Sequence, residues 1–284
     1  MNRTPLATRP AGRAVAGPGG RAVVRSLRRV VPGAPAWVDV GTTAGTATAA
    51  RFYCGLFGWR VVARHRPLDD GVGYWIFRAD GRDVGGLAPA GEASWSVYVA
   101  VVDVDATARA VAAHGGAVLA GPLIVDAGRM AVCADPEGAT FVLWEAEAAG
   151  PAGRGGCPDG DPAPCPSCQL ACRDVAAAAR FYGAVFGWET RPGARGSGAR
   201  YAELVQVGTG RCAARVVATD DRWPAGGPAR WMVHLEVADV ERTAARAAEL
   251  GGTVSVAPFD VPDVGRLAVL GDPEDAVFSV LQAA

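Results

Sequence analysis

The chain contains no lysine, so all 28 of its basic residues are arginine. Together with the excess of Ala and Gly, this reads as coding bias in a GC-rich genome and not as a binding device. Histidine is nearly absent, with only His65, His114 and His234, which leaves little imidazole for a metal centre. No apolar run approaches the roughly 18 residues of a membrane span, so no membrane partner is expected. There are seven cysteines, an odd number in a chain too large to need covalent staples, which makes reduced thiols the default. Cys157, Cys165, Cys168 and Cys172 come close to a metal-binding spacing. Cys168 and Cys172 nevertheless fall in a predicted strand and Cys157 lies among Gly and Pro. They are read as strand and linker cysteines, and neither a metal nor a cofactor is expected.

Acidic residues are missing from the first 31 positions, which hold seven Arg. With a net charge of −1 for the whole chain, the remainder carries about eight negative charges, which disfavours nucleic acid as the main partner. The head also lacks apolar periodicity, so residues 1–32 are expected to be a disordered extension. A dispensable tail is the plain reading. A transit-type peptide and a twin-arginine signal at Arg28–Arg29 are the alternatives, the second without the apolar stretch that should follow it. A cytoplasmic protein is expected.

What the sequence does contain is one pattern written twice. ARFYCGLFGW from Ala50 returns as ARFYGAVFGW from Ala179, and WSVYVAVVDV from Trp95 returns as WMVHLEVADV from Trp231. GRMAVCADPEGATFVLW from Gly128 returns as GRLAVLGDPEDAVFSVL from Gly265. Three blocks in the same order mean a duplicated domain of about 120 residues. The Gly/Pro-rich stretch 148–166 separates the copies as a linker, giving domains at 33–147 and 167–284.

Within a copy, a strand, a helix and three strands are followed by the same series again. AWVDVGT predicts a strand, and Thr46–Phe57 predicts a helix with Phe52 and Leu56 on one face. Gly58 suits a left-handed terminator. Asp80–Gly81 is a hairpin turn signal. Asp105–His114 predicts the second helix, stopped by Gly115–Gly116, with a cationic His114 favoured at the helix end. Asp135–Pro136–Glu137–Gly138 carries a type I turn signature.

FYxxxFGW after a short helix, VxDVxA before the second helix, GG after it, and GR…DPxG before the last strand resemble, in this order, the vicinal oxygen chelate superfamily. That superfamily includes glyoxalase I, extradiol dioxygenases and bleomycin-binding proteins. More closely, the chain looks like its tandem-domain actinobacterial members. The resemblance implies an α+β fold of two tandem domains, each a pair of βαβββ units forming a curved, cavity-enclosing mixed sheet. Fold alone does not settle function.

Enzymatic members of that superfamily hold a divalent metal with His, Glu or Gln from the first and last strands of each half-unit. The matching positions here are Trp37, Ser96 and Val142 in the first copy and Ser167, Met232 and Ser279 in the second. None is a good ligand. If these positions face the cavity, strand alternation turns Asp39, Tyr98, Trp144, Gln169, His234 and Leu281 the same way. Glu236 is in phase with His234 and is placed to orient its ring. The first cavity would then be lined by two Trp, a Tyr and an Asp. The competing reading is that these aromatics plug a closed sheet as core. Trp75, Trp95, Trp223 and Trp231 are read as core or loop packing. Arg129 and Arg266 are expected to pair with Asp135 and Asp272 or to clamp an anion.

An aromatic concavity with a few convergent polar groups suits a small hydrophobic ligand. The leading expectation is metal-independent binding of a planar aromatic molecule, in antibiotic sequestration or as an accessory in aromatic natural-product biosynthesis. The alternatives are a metal-free cyclase, isomerase or lyase using Asp39 or His234 as acid/base, and a metal-dependent glyoxalase-like lyase or dioxygenase. The expected assembly is a monomer whose copies pair as an intrachain pseudo-dimer, or a homodimer.

Overall fold

The structure is a computed structural model that describes residues 32–63, 73–125, 128–146, 167–192, 201–219, 229–261 and 264–284. The Arg-rich head up to residue 31, the linker 148–166, His65, Cys157, Cys165 and Trp223 lie outside the described residues.

The first half-unit is β1 (Pro35–Thr42), α1 (Thr46–Phe57), β2 (Arg60–Ala63), β3 (Trp75–Ala79) and β4 (Arg82–Pro89). The second is β5 (Ser94–Ala100), α2 (Val104–Ala113), β6 (Ala117–Val125), β7 (Gly128–Ala134) and β8 (Thr140–Ala146). The other copy repeats the series as β9 (Ser167–Cys172), α3 (Val175–Phe186), β10 (Trp188–Pro192), β11 (Tyr201–Gln206) and β12 (Cys212–Ala218). It ends with β13 (Arg230–Glu236), α4 (Val240–Glu249), β14 (Thr253–Val261), β15 (Gly265–Gly271) and β16 (Val277–Ala283).

Each copy forms one eight-stranded mixed sheet, in the order β2-β3-β4-β1-β5-β8-β7-β6 and its counterpart β10-β11-β12-β9-β13-β16-β15-β14. The sheets are open, with α+β composition. The half-units meet at the antiparallel pairs β1–β5 and β9–β13, while β1–β4 and β5–β8 are parallel. The first strands of all half-units therefore sit at the sheet centres, where the candidate site residues lie.

Local chemistry explains the helix ends. Asp103, Asp174 and Asp239 cap α2, α3 and α4, each accepting the N–H three residues on at 2.8–2.9 Å. α1 has Gly45 at its cap and no side-chain cap of its own. The loop leading into it is held from the other copy, where Glu274 accepts from Thr43 N–H at 2.6 Å and Ala44 N–H at 2.8 Å, and also from the Thr42 hydroxyl. Burial alone would raise the Glu274 carboxyl, but these bonds hold it down at about 2. Glu137 does the same for the start of α3, accepting from Arg173 and Asp174 N–H at 2.9 Å.

The two copies share one hydrophobic core. Phe278 of β16 lies against Phe52, Tyr53 and Phe57 of α1, and Phe141 of β8 lies against Phe181, Tyr182 and Phe186 of α3. Tyr53 donates to Asp272 and Tyr182 donates to Asp135, both at 3.0 Å. Trp95 and Trp231 in turn donate to those tyrosine hydroxyls at 3.0 and 2.9 Å. The motif FY of one copy is thus bonded to the motif DP of the other.

This corrects the expected arginine pairing. Arg129 bonds Asp105 at 2.6 Å, and Arg266 bonds Asp260 at 2.8 Å as well as Glu241. Asp135 and Asp272 are taken by backbone amides of their own turns and by the tyrosines. An aspartate already filled by three donors inside an apolar interface has no room for a guanidinium that sits half-buried at the other end of the strand leading into it.

Candidate functional site

The helices cover one face of each sheet. Val38, Val40, Val97, Val99, Phe141 and Leu143 point into that shared core. Alternation sends their neighbours to the helix-free face, where Trp37 pairs with Tyr98, and Asp39 with Ser96, across β1–β5. Tyr98 stands beside Val142 in the parallel pair β5–β8, with Trp144 two residues on. The first-domain candidates therefore share one face.

Asp39 is the centre of this group. It is only 6 % exposed. Its Oδ2 accepts the Tyr98 hydroxyl at 2.6 Å and the Tyr74 hydroxyl at 3.1 Å, and Ser96 adds a further hydrogen bond. The Trp37 indole donates to the Tyr74 oxygen at 2.8 Å. Burial raises the Asp39 carboxyl to about 6, and the hydroxyl donors only partly oppose that rise. Burial also lifts the Tyr98 phenol well above its usual range, with the Asp39 charge adding to the effect. Trp144 meets Tyr98 edge-on, with ring centroids 6.4 Å apart at 70°. Trp37, Tyr74, Tyr98 and Trp144 are all half-buried, so two indoles and two phenols share the face with one buried carboxyl.

Tyr74 was not among the expected site residues. The alternation of GYWIF contains the signal, since Trp75 and Phe77 pack on the core side and Tyr74 must point the other way. What makes room for it is Gly86, which sits beside Asp39 in the register of β1 and β4. A Cβ there would clash with the Tyr74 hydroxyl and would lie 2.9 Å from Asp39 Cβ.

The second domain keeps the geometry and changes the chemistry. Gln169 replaces Asp39, Arg215 stands where Gly86 stood, and His234 takes the place of Tyr98. Met232 is fully buried, and Leu281 is half-buried. His234 is 8 % exposed, and burial together with the Arg215 charge lowers its imidazole to about 4. The expectation that Glu236 orients this ring is not met. Glu236 is exposed at the strand end, and no hydrogen bond joins it to His234, whose Nε2 has no partner among the described residues. Glu236 is still paired with Leu281 of β16 but is the last residue of β13, where its side chain is exposed, so sharing a phase with His234 does not bring the two together.

His114 is the cap of α2, its Nδ1 2.8 Å from the Ala110 carbonyl, and belongs to no site. Trp95 and Trp231 are core residues that hold the interdomain tyrosines. Trp75 packs half-buried on the core, while Cys168 and Cys172 are buried strand residues.

The residues at the superfamily's metal positions do not fit a divalent cation. Trp37 offers an N–H that already donates to Tyr74, and the Ser279 hydroxyl donates to the Ala268 carbonyl at 3.0 Å. Val142 and Met232 bring buried apolar chains. Together with Ser96, this set lacks the converging imidazole and carboxylate donors that such an ion needs.

Repeated βαβββ half-units, the central β1–β5 pairing and a helix-free site face define a vicinal oxygen chelate scaffold. A family model described as a glyoxalase-like domain matches twice, over residues 37–144 and 167–281. The chain belongs to that family. It is 36% identical over 262 residues to CFP32 of Mycobacterium tuberculosis, covering 89% of this chain and 95% of the relative. It is 34% identical over 282 residues to the anthracycline biosynthesis protein DnrV of Streptomyces peucetius, covering 90% and 95%. Among solved structures, the Mn(II)-bound glyoxalase from Novosphingobium aromaticivorans shares the fold, with a TM-score of 0.56 at 18% identity over 90% of this chain and 83% of that one.

Proposed function

We propose that the helix-free face of the first domain binds a hydrophobic, planar aromatic small molecule without a metal, in an accessory role in aromatic natural-product biosynthesis or in antibiotic sequestration. The observation that carries this reading is the half-buried set Trp37, Tyr98 and Trp144 gathered around the buried Asp39. Flat rings give a planar ligand large contact area and a stacking surface. One fixed polar group among apolar walls then orients it. Asp39 is held in place by two phenols, so it can accept a ligand hydroxyl when ionised or donate to a ligand carbonyl when protonated. Similarity to DnrV, a protein named for anthracycline biosynthesis, supports a polycyclic aromatic as the ligand class.

The test is titration with a hydroxylated anthraquinone, followed by calorimetry. Saturable binding is expected, and Trp144→Ala should weaken it about 10-fold or more. Indifference to both Trp144→Ala and Trp37→Ala would remove the first-domain face from consideration.

The elevated Asp39 carboxyl favours one second reading, a metal-free isomerase, cyclase or lyase. A buried carboxyl near pH 6 flanked by phenols is suited to proton transfer at neutral pH. His234 is less suited, because an imidazole lowered to about 4 is a weak base. Under this reading Asp39→Asn abolishes turnover of a bound aromatic substrate while leaving its affinity within a few-fold.

A further inference from the structure

The helix-free face of the second domain carries the opposite electrostatic character to the first. Arg215 on β12 lies beside Gln169 on β9 in parallel register, and Gln169 lies across from Met232 on β13. His234 follows two residues on, in register with Ser279 of β16. Alternate residues on the same strands, Leu170, Val216, Val233 and Val280, belong to the helix-side core. Arg215, Gln169 and His234 therefore share the outward face. The Arg215 charge reaches the His234 ring, where it disfavours protonation.

Two groups on this face keep binding capacity that the described residues do not use. Arg215 is half-buried and hydrogen-bonds the Tyr201 side chain, yet it forms no ion pair among the described residues. Glu203 stands across the ladder from it, but the Tyr201 hydroxyl reaches Glu203 Oε1 only at 3.4 Å and the guanidinium is not paired to that carboxylate. The second group is His234 Nε2, buried and without a partner among the described residues. An unpaired buried polar atom costs about as much as a lost hydrogen bond. A half-buried guanidinium presents a planar fork of donors shaped for a carboxylate.

We propose that this second face binds a small-molecule carboxylate, with Arg215 holding the anion and His234 Nε2 and Gln169 bonding the polar groups next to it. The site is separate from the aromatic site of the first domain and does not depend on it. Its specificity comes from charge, while that of the first face comes from ring stacking. In Arg215 and Gln169 the second copy has exchanged the Gly86 and Asp39 of the first, which converts a face that carries a carboxyl into one that receives a carboxyl.

The experiment compares anthraquinone-2-carboxylate with its uncharged carboxamide, titrated into the full chain. The carboxylate should bind more tightly, and Arg215→Gln should weaken it on the order of 10- to 100-fold while leaving carboxamide binding unchanged. Arg215→Lys, which keeps the charge but loses the planar fork, should bind the carboxylate with an affinity between those of the natural chain and Arg215→Gln. In protein labelled with 15N in its histidine rings, the His234 Nε2 signal should move on adding the carboxylate, a readout that does not require any variant to fold. The proposal is overturned if the carboxylate binds no better than the carboxamide or not at all. It is also overturned if Arg215→Gln changes nothing and the His234 signal stays still. Loss of carboxylate binding with Trp144→Ala but not with Arg215→Gln would overturn it while supporting the aromatic reading of the first domain.

Discussion

At the scale of single residues, Asp39 sets the properties of the first face. Its folded value of about 6 lies above the usual 3.8, so the folded state holds this proton more tightly than the unfolded chain does. The stabilisation from that proton is complete below about pH 4 and is lost as the pH rises through 6. Asp135 and Asp272 are raised by burial as well, so the effect is isolated by difference. Denaturant unfolding of the natural chain and of Asp39→Asn should show the natural chain gaining about 2–3 kcal/mol on the variant between pH 7.5 and pH 4. A pH-independent difference would contradict the burial argument. Gly86 offers a second handle. Gly86→Ala should push Tyr74 off Asp39, free the Trp37 indole from its partner and weaken aromatic binding, with little change in the β1–β4 ladder measured by amide exchange.

At the scale of elements, the repeated motifs turn out to be interface parts. Helices α1 and α3 each send a tyrosine into the turn of the other copy, where it meets a buried aspartate. The second glycine after α2 and α4 gives the opposite ring its room. A Cβ on Gly116 would lie 3.0 Å from Phe181, and one on Gly252 would lie 2.8 Å from Phe52. Tyr53→Phe leaves the Asp272 carboxyl and the Trp95 indole each short of a partner, so it should cost about 1–3 kcal/mol. Tyr182→Phe should cost a similar amount through Asp135 and Trp231. Urea unfolding of the two variants and their double mutant checks both the size and the near-additivity expected for distant sites. A change below a few tenths of a kcal/mol would mean that the hydroxyls are not needed.

At the scale of the whole molecule, the shared core makes the two copies one folding unit. Phe278 meets four rings of the first copy, and Phe141 meets three of the second. Opening either domain exposes the other. Calorimetry should therefore give a single transition whose van't Hoff and calorimetric enthalpies agree. Two resolved transitions would show that the domains unfold independently. Among the described residues no helix is long and apolar enough to cross a membrane. The strongest positive charge of the sequence lies in its first 31 positions, outside the described region.

The sequence by itself determined the repeat, the order of strands and helices, and which face each central residue takes. These are local properties. Helix α1 runs from Thr46 to Phe57 because apolar spacing and Gly58 set its span, and strand phase follows from a two-residue period. It also showed that the metal positions of the superfamily hold poor ligands. Only the tertiary structure decided who meets whom. Asp135 and Asp272 belong to tyrosines 47 and 219 residues away, and no local pattern prefers these over Arg129 and Arg266. Tyr74 reached Asp39, and Arg215 came to lie beside Gln169, through the register of non-adjacent strands. Register is a product of global packing, and so are burial and the chemistry that burial imposes on Asp39 and His234.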